Sequence, residues 1–106
     1  MVYYNSQSKN DLLKIFYGLA NWPKHPLGFE MASDYLLDLE AICNKLDKTI
    51  YHSPVVFLQH KQFGSFVHRY RRNKNTTWYI IYNKDEYKNI FIQRIISNHL
   101  TENADR

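Results

Sequence analysis

Ser65-Phe66-Val67-His68-Arg69-Tyr70-Arg71, then Asn73-Lys74-Asn75, then Thr77-Trp78-Tyr79-Ile80-Ile81-Tyr82 is the stretch whose reading decides the fold. Both flanks are rich in β-branched and aromatic residues, and three polar residues with turn chemistry separate them, which predicts two strands joined as a hairpin. Beyond them, Asn83-Lys84-Asp85 reads as a second turn and Asn89 to Ser97 as another strand. Upstream, the apolar run Val55-Val56-Phe57-Leu58 reads as a strand as well. Strands this close in sequence pair as an antiparallel meander. The segment from Phe57 to His99 is therefore expected to form an antiparallel sheet of three to four strands.

The other half carries a different period. Leu12, Ile15, Phe16 and Leu19 recur at three- and four-residue intervals behind Ser8-Lys9-Asn10-Asp11, which has the spacing of a capping box, so an amphipathic helix is expected. Trp22-Pro23 should end it, and His25-Pro26-Leu27-Gly28 should form a turn. A second helix follows, with Ala32, Tyr35, Leu36, Leu39, Ile42, Cys43 and Leu46 on one stripe. Val2-Tyr3-Tyr4 suggests a short edge strand at the start, and Thr101 to Arg106 a fraying tail. Two helices with one apolar face each need a cover, and the sheet supplies it. The expected fold class is α+β: an N-terminal strand and a two-helix hairpin packed on a C-terminal antiparallel sheet.

At 106 residues the chain has room for one core, so one domain spanning 1–106 is expected. Aromatic residues make up 16 % of it and supply bulky side chains for that core despite a mean hydropathy of −0.56. No apolar run approaches the ~20 residues a membrane span needs. Neither does Met1 lead into the basic and apolar regions of a signal peptide. A lone cysteine, Cys43, leaves no internal disulfide to form, so a cytoplasmic setting is expected. The net charge is +4 and it is unevenly placed. Five lysines against six carboxylates give −1 up to Lys48, and nine Lys/Arg against four carboxylates give +5 beyond it.

Alternation along Phe66 to Arg72 puts Phe66, His68, Tyr70 and Arg72 on one side of the sheet and Val67, Arg69 and Arg71 on the other. In the last strand it groups Ile90, Ile92, Arg94 and Ile96 on a core face, where Arg94 needs an edge, a partner or a buried carboxylate. Arg69, Arg71, Arg72, Lys74, His60, His68 and His99, interleaved with Tyr70, Trp78 and Tyr79, combine cations for phosphates with rings on which unpaired bases stack. A basic strand face of this kind also occurs as a plain solvated surface. His25 and His52 read as structural, whereas His60 and His99 sit at element ends where an imidazole could reach a ligand. There is no HExxH, no CxxC and no glycine-rich phosphate loop. Cys43 lies on an apolar stripe and reads as a small buried hydrophobe.

The chain runs strand, helix hairpin, antiparallel strands, with Tyr4-Asn5-Ser6 leading into Asp11-Leu12-Leu13-Lys14-Ile15, then Leu58-Gln59-His60, Gly64 and Val67-His68-Arg69, and a late Trp78-Tyr79-Ile80-Ile81-Tyr82. In that pattern it resembles the RelE/ParE toxin superfamily. The resemblance implies a toxin held by a cognate antitoxin, which either cuts mRNA on the ribosome or, in ParE-like members, poisons DNA gyrase. It further implies that Arg69 stands at a family basic position and that His99 stands where members place Arg or His. The chain differs from the family in having Tyr79 where an arginine is usual, Leu100 where a tyrosine is usual, and no carboxylate near Pro54-Val55-Val56. Cleavage of this type attacks phosphorus with the 2′-hydroxyl and requires no metal or cofactor. In that chemistry Arg69, Arg71 and Arg72 would stabilise the phosphate, His99 and His60 would exchange protons, and Trp78 or Tyr79 would stack a base. Arg72, Lys74, His68, Trp78, Tyr79 and Arg94 complete the expected RNA-binding set.

Overall fold

A computed structural model of the chain describes residues 1–21 and 28–98. The elements run β1 (Val2–Tyr4), α1 (Ser6–Ala20), α2 (Gly28–Cys43), β2 (Phe66–Asn73), β3 (Thr76–Lys84) and β4 (Ile90–Ser97). The four strands form one sheet in the order β1-β4-β3-β2. Consecutive β2, β3 and β4 pair antiparallel, as short turns require, while β1 lies parallel to β4 at the far edge. The fold is thus α+β, with the N-terminal strand closing a mixed four-stranded sheet. The expected turns over 22–27 and the tail from 99 onward, including His99 and Leu100, lie outside the described residues.

Both helices pack on one face of the sheet. Leu12 and Ile15 of α1, Leu39 and Cys43 of α2, and Leu46 beyond it meet Trp78, Ile80, Tyr82, Ile90, Ile92 and Ile95 in the main core. Complete burial of each aliphatic side chain contributes roughly 1.5–3 kcal/mol. Phe16 near the end of α1 stacks on Phe29 at the start of α2, with centroids 5.8 Å apart, so the two helices run back along each other. Cys43 is fully buried, and burial raises its thiol pKa to about 12, which suits a packing role. The opposite face carries a smaller cluster of Val55, Val67 and Ile81, with Phe63, Tyr79 and Ile96 against it.

Three local expectations are corrected. Helix α1 begins two residues before Ser8, because Asn5 is its N-cap: the Asn5 carbonyl side-chain oxygen accepts the Ser8 N–H at 2.7 Å. Asp11 is consequently free of any capping duty and lies buried beneath the helix. The run Val55 to Leu58 is not a strand. Only Pro54 bridges to β2, opposite Phe66, and the chain then enters a 3-10 turn at Leu58–His60 that leaves Val56, Phe57 and Leu58 exposed. The second turn also comes later than Asn83, since β3 runs on to Lys84. There Asp85 takes over, its Oδ1 accepting the N–H groups of Tyr87 and Asn89, each at 2.9 Å.

A fourth correction concerns β4. Register steps from Ile81 opposite Arg94 to Tyr82 opposite Ile92, so Gln93 has no partner across the ladder and forms a β-bulge. One extra residue exchanges the faces downstream of it. Ile90, Ile92, Ile95 and Ser97 are buried toward the helices, while Arg94 and Ile96 turn to the other side.

Candidate nucleic-acid interface

The face of the sheet away from the helices is built in rows set by strand register. Arg71 of β2 lies opposite Thr77 of β3; Arg69 lies opposite Tyr79, which lies opposite Ile96; Val67 lies opposite Ile81, which lies opposite Arg94. The segment after Pro54 folds over the middle of this face. Phe57, His60 and Tyr79 form a ring cluster with centroids 5.2–5.6 Å apart. Phe63 sits on the next row, with the Arg94 guanidinium 4.7 Å from its ring. This cover stops short of the β2–β3 end. Arg69, Arg71 and Lys74 are exposed, and among the described residues no carboxylate pairs with them. The Arg69 guanidinium lies 6.0 Å from the Phe57 ring, and Arg71 Nε donates weakly to the Asn73 carbonyl at 3.4 Å.

The remaining expected site residues are placed elsewhere. Arg72 has the opposite parity and turns to the helices, where its Nη1 meets Asp38 at 2.6 Å and its plane lies 4.2 Å from the Tyr35 ring. Arg94 is held by Asp11 at 2.8 Å. Of the three destinations open to it, the buried carboxylate is the one it takes. Trp78 is 5 % exposed in the main core and donates its indole N–H to the Tyr35 hydroxyl at 2.8 Å, so it offers no stacking surface. His68 shares the helix-side parity of Phe66 and Tyr70, and burial lowers its pKa. His52 is structural as expected, its Nδ1 lying 2.7 Å from the Tyr82 hydroxyl. Arg69, Arg71 and Tyr79 therefore remain together on one face, with Lys74 exposed in the turn that follows β2.

His60 is the unusual member. It is 2 % exposed, its Nε2 is buried without a hydrogen-bond partner, and burial pushes its pKa below the ordinary imidazole value. As placed it cannot exchange a proton with a bound ligand; it packs behind Tyr79 and Phe57. Two groups escaped the sequence reading. Phe57, 41 % exposed beside Arg69, offers the free ring that Trp78 does not. Asn98 fastens the strand ends at the open side: its Oδ1 accepts the Thr77 N–H at 3.2 Å and its Nδ2 donates to the Asn75 carbonyl at 3.1 Å. Strand parity alone would have put Phe57's neighbour Tyr79, and not Trp78, on Arg69's face.

This surface can hold a phosphate chain on guanidinium and ammonium groups and stack a base beside them. Among the described residues no group of three His, Cys, Asp or Glu side chains could hold a metal ion, and no helix is long and apolar enough to cross a membrane. An α+β domain with one basic, partly covered sheet face is the class that fold and site define. No family model, curated protein or solved structure matches the chain.

Proposed function

We propose that the chain is the toxin of a toxin–antitoxin pair, of RelE/ParE type, that binds mRNA on the ribosome and cuts it by metal-independent attack of the 2′-hydroxyl. The observation that carries this reading is the placing of Arg69 and Arg71 on the exposed outer strand. Both point to one face, next to Tyr79, and no described carboxylate neutralises them. Arg69 and Arg71 would hold the scissile phosphate and its developing charge, with Lys74 on a neighbouring phosphate and Tyr79 or Phe57 under a base. His99, next to Asn98, is the proton-exchanging group that this chemistry requires. The test is expression of the chain alone, followed by mapping of transcript ends on stalled ribosomes. Growth arrest with new 2′,3′-cyclic phosphate ends, lost in Arg69→Ala and in His99→Ala, is the expected result. Harmless expression and intact transcripts would remove the proposal.

A second reading is favoured by a specific observation: His60 is buried, and Arg72 and Arg94 are consumed by internal carboxylates. On that reading the chain is a binding module that cuts nothing, acting on DNA gyrase or only through its antitoxin. Intact transcripts together with growth arrest and supercoiling loss would single it out.

A further inference from the structure

The outer edge of β2 is a second feature of this surface, separate from the side chains on its face. Val67 donates its N–H outward to the Ser53 carbonyl at 2.9 Å, away from β3. Backbone groups along a strand point to alternate edges, so those of Arg69 and Arg71 also point outward, whereas those of Phe66, His68 and Tyr70 serve the β3 ladder. The described residues cover only the start of this edge. Val55 donates to the Ser65 carbonyl at 3.0 Å, Pro54 bridges to Phe66, and the segment then leaves into the 3-10 turn at Leu58. No described strand lies beyond β2, so the N–H and C=O groups of Arg69 and Arg71 form an open ladder.

We propose that this edge is a docking site for an extended acidic segment of a partner protein, which joins the sheet as a fifth strand next to Arg69–Arg71. Open strand edges pair with whatever extended chain complements them. Here the side chains choose the occupant. Arg69 and Arg71 project to the face away from the helices without a described counter-charge, so the incoming strand requires Asp or Glu at two alternate positions on that side. Its intervening positions face His68 and Tyr70, both half-buried on the helix side, and accept apolar residues. A second copy of the same edge would set arginine against arginine. The irregular register between Arg71 and Asn73 limits the paired length to a few residues, which fits a short segment and not a long sheet extension.

The test uses the isotope-labelled full chain and one probe, a capped octapeptide of alternating Glu and Val, beside the same peptide N-methylated at alternate residues. Amide exchange at Arg69 and Arg71 should slow by about ten-fold or more at saturation, with little change at His68 and Tyr70. The N-methylated peptide should bind about ten-fold more weakly, the loss of one or two hydrogen bonds. Arg69→Gln with Arg71→Gln should weaken binding yet keep both amides protected at saturation. Equal binding of the two peptides, unprotected amides at saturation, absence of binding, or dimerisation of the free chain through the same amides would each overturn the proposal. Cleavage of RNA by the same preparation is read separately, so failure here leaves the RNA reading standing.

Discussion

Asp11 and Arg94, 83 residues apart, meet in a two-pronged ion pair, Nε to Oδ2 at 2.8 Å and Nη2 to Oδ1 at 3.3 Å. The same Oδ2 accepts the Ile95 N–H at 2.9 Å. That amide lies on β4 past the point where β1 ends, opposite Ile92 at Tyr4, so the carboxylate substitutes for a missing strand neighbour. Asp11→Ala leaves a partly buried guanidinium and a buried amide unmatched, and should cost about 3 kcal/mol. Urea denaturation measures it. A loss below about 1 kcal/mol would show that water takes over both roles.

Arg72 and Arg69 sit three residues apart and should behave oppositely. Arg69→Ala should lower affinity for single-stranded RNA and flatten its dependence on salt by roughly 0.7 in the log–log slope, one phosphate contact. Arg72→Ala should leave the slope unchanged and instead destabilise the fold by about 1 kcal/mol, because its charge already meets Asp38 and the Tyr35 ring. Filter binding across a salt series, with melting curves beside it, distinguishes the two.

The two neighbouring aromatics of β3 make a similar pair. Tyr79→Ala should weaken RNA binding by about 1–3 kcal/mol, the value of one stacked base. Trp78→Ala should instead cost about 3–5 kcal/mol of stability, as a truncated core aromatic. Equal losses of RNA affinity in both, at matched folded fraction, would contradict the assignment of faces.

Stability should fall as the medium is acidified. Burial lowers the pKa of both His60 and His68 below the ordinary 6.5, so the unfolded chain binds protons that the folded chain refuses. Their neutral forms therefore contribute fully above pH 6.5, and the contribution fades as pH drops from there toward the folded-state values. Denaturation midpoints from pH 7.5 down to 5 should decline for the native chain and decline less for His60→Phe, over the range around the ordinary imidazole value. An unchanged slope in the variant would place the titration elsewhere.

Gly64 leaves little room for a side chain. A Cβ there would lie 3.0 Å from Ile81 Cγ2, in the smaller cluster, and 3.1 Å from the Tyr82 carbonyl oxygen, so both neighbours would have to give by a few tenths of an ångström. Gly64→Ala should destabilise by about 1–3 kcal/mol through overpacking, read as a lowered thermal midpoint.

Much of the architecture was legible in residue spacing. The three- and four-residue intervals of Leu12, Ile15, Leu39 and Cys43 located both helix faces, and the turn at Asn73-Lys74-Asn75 located the β2–β3 hairpin, because those signals are local. What failed was long-range or one residue out of phase. Nothing near Asp11 in the chain announces that its partner is Arg94, and the bulge at Gln93 is invisible until β3 supplies the ladder. Val55 to Leu58 looked like a strand because apolar runs do not state which edge they meet. His60, read as a ligand-facing imidazole, is covered by rings that lie near it only after folding. For the site, parity separates Arg69 and Arg71 from Arg72; Trp78 and Tyr79, expected together as stacking rings, are adjacent in one strand and necessarily face opposite ways.

Gln93 makes β4 two half-strands spliced out of phase. Before the splice the strand keeps time with β1 and the helices; after it, the same alternation serves a different set of neighbours. Deleting Gln93 would join the halves in one even beat with every face kept, Ile92 and Ile95 toward the helices and Arg94 away from them; pulling the bulge straight with Gln93 still in place would instead carry Arg94 inward and turn Ile95 outward. Whether this one residue is looped out of the ladder, more than the composition of the segment, decides which of its side chains the helices meet.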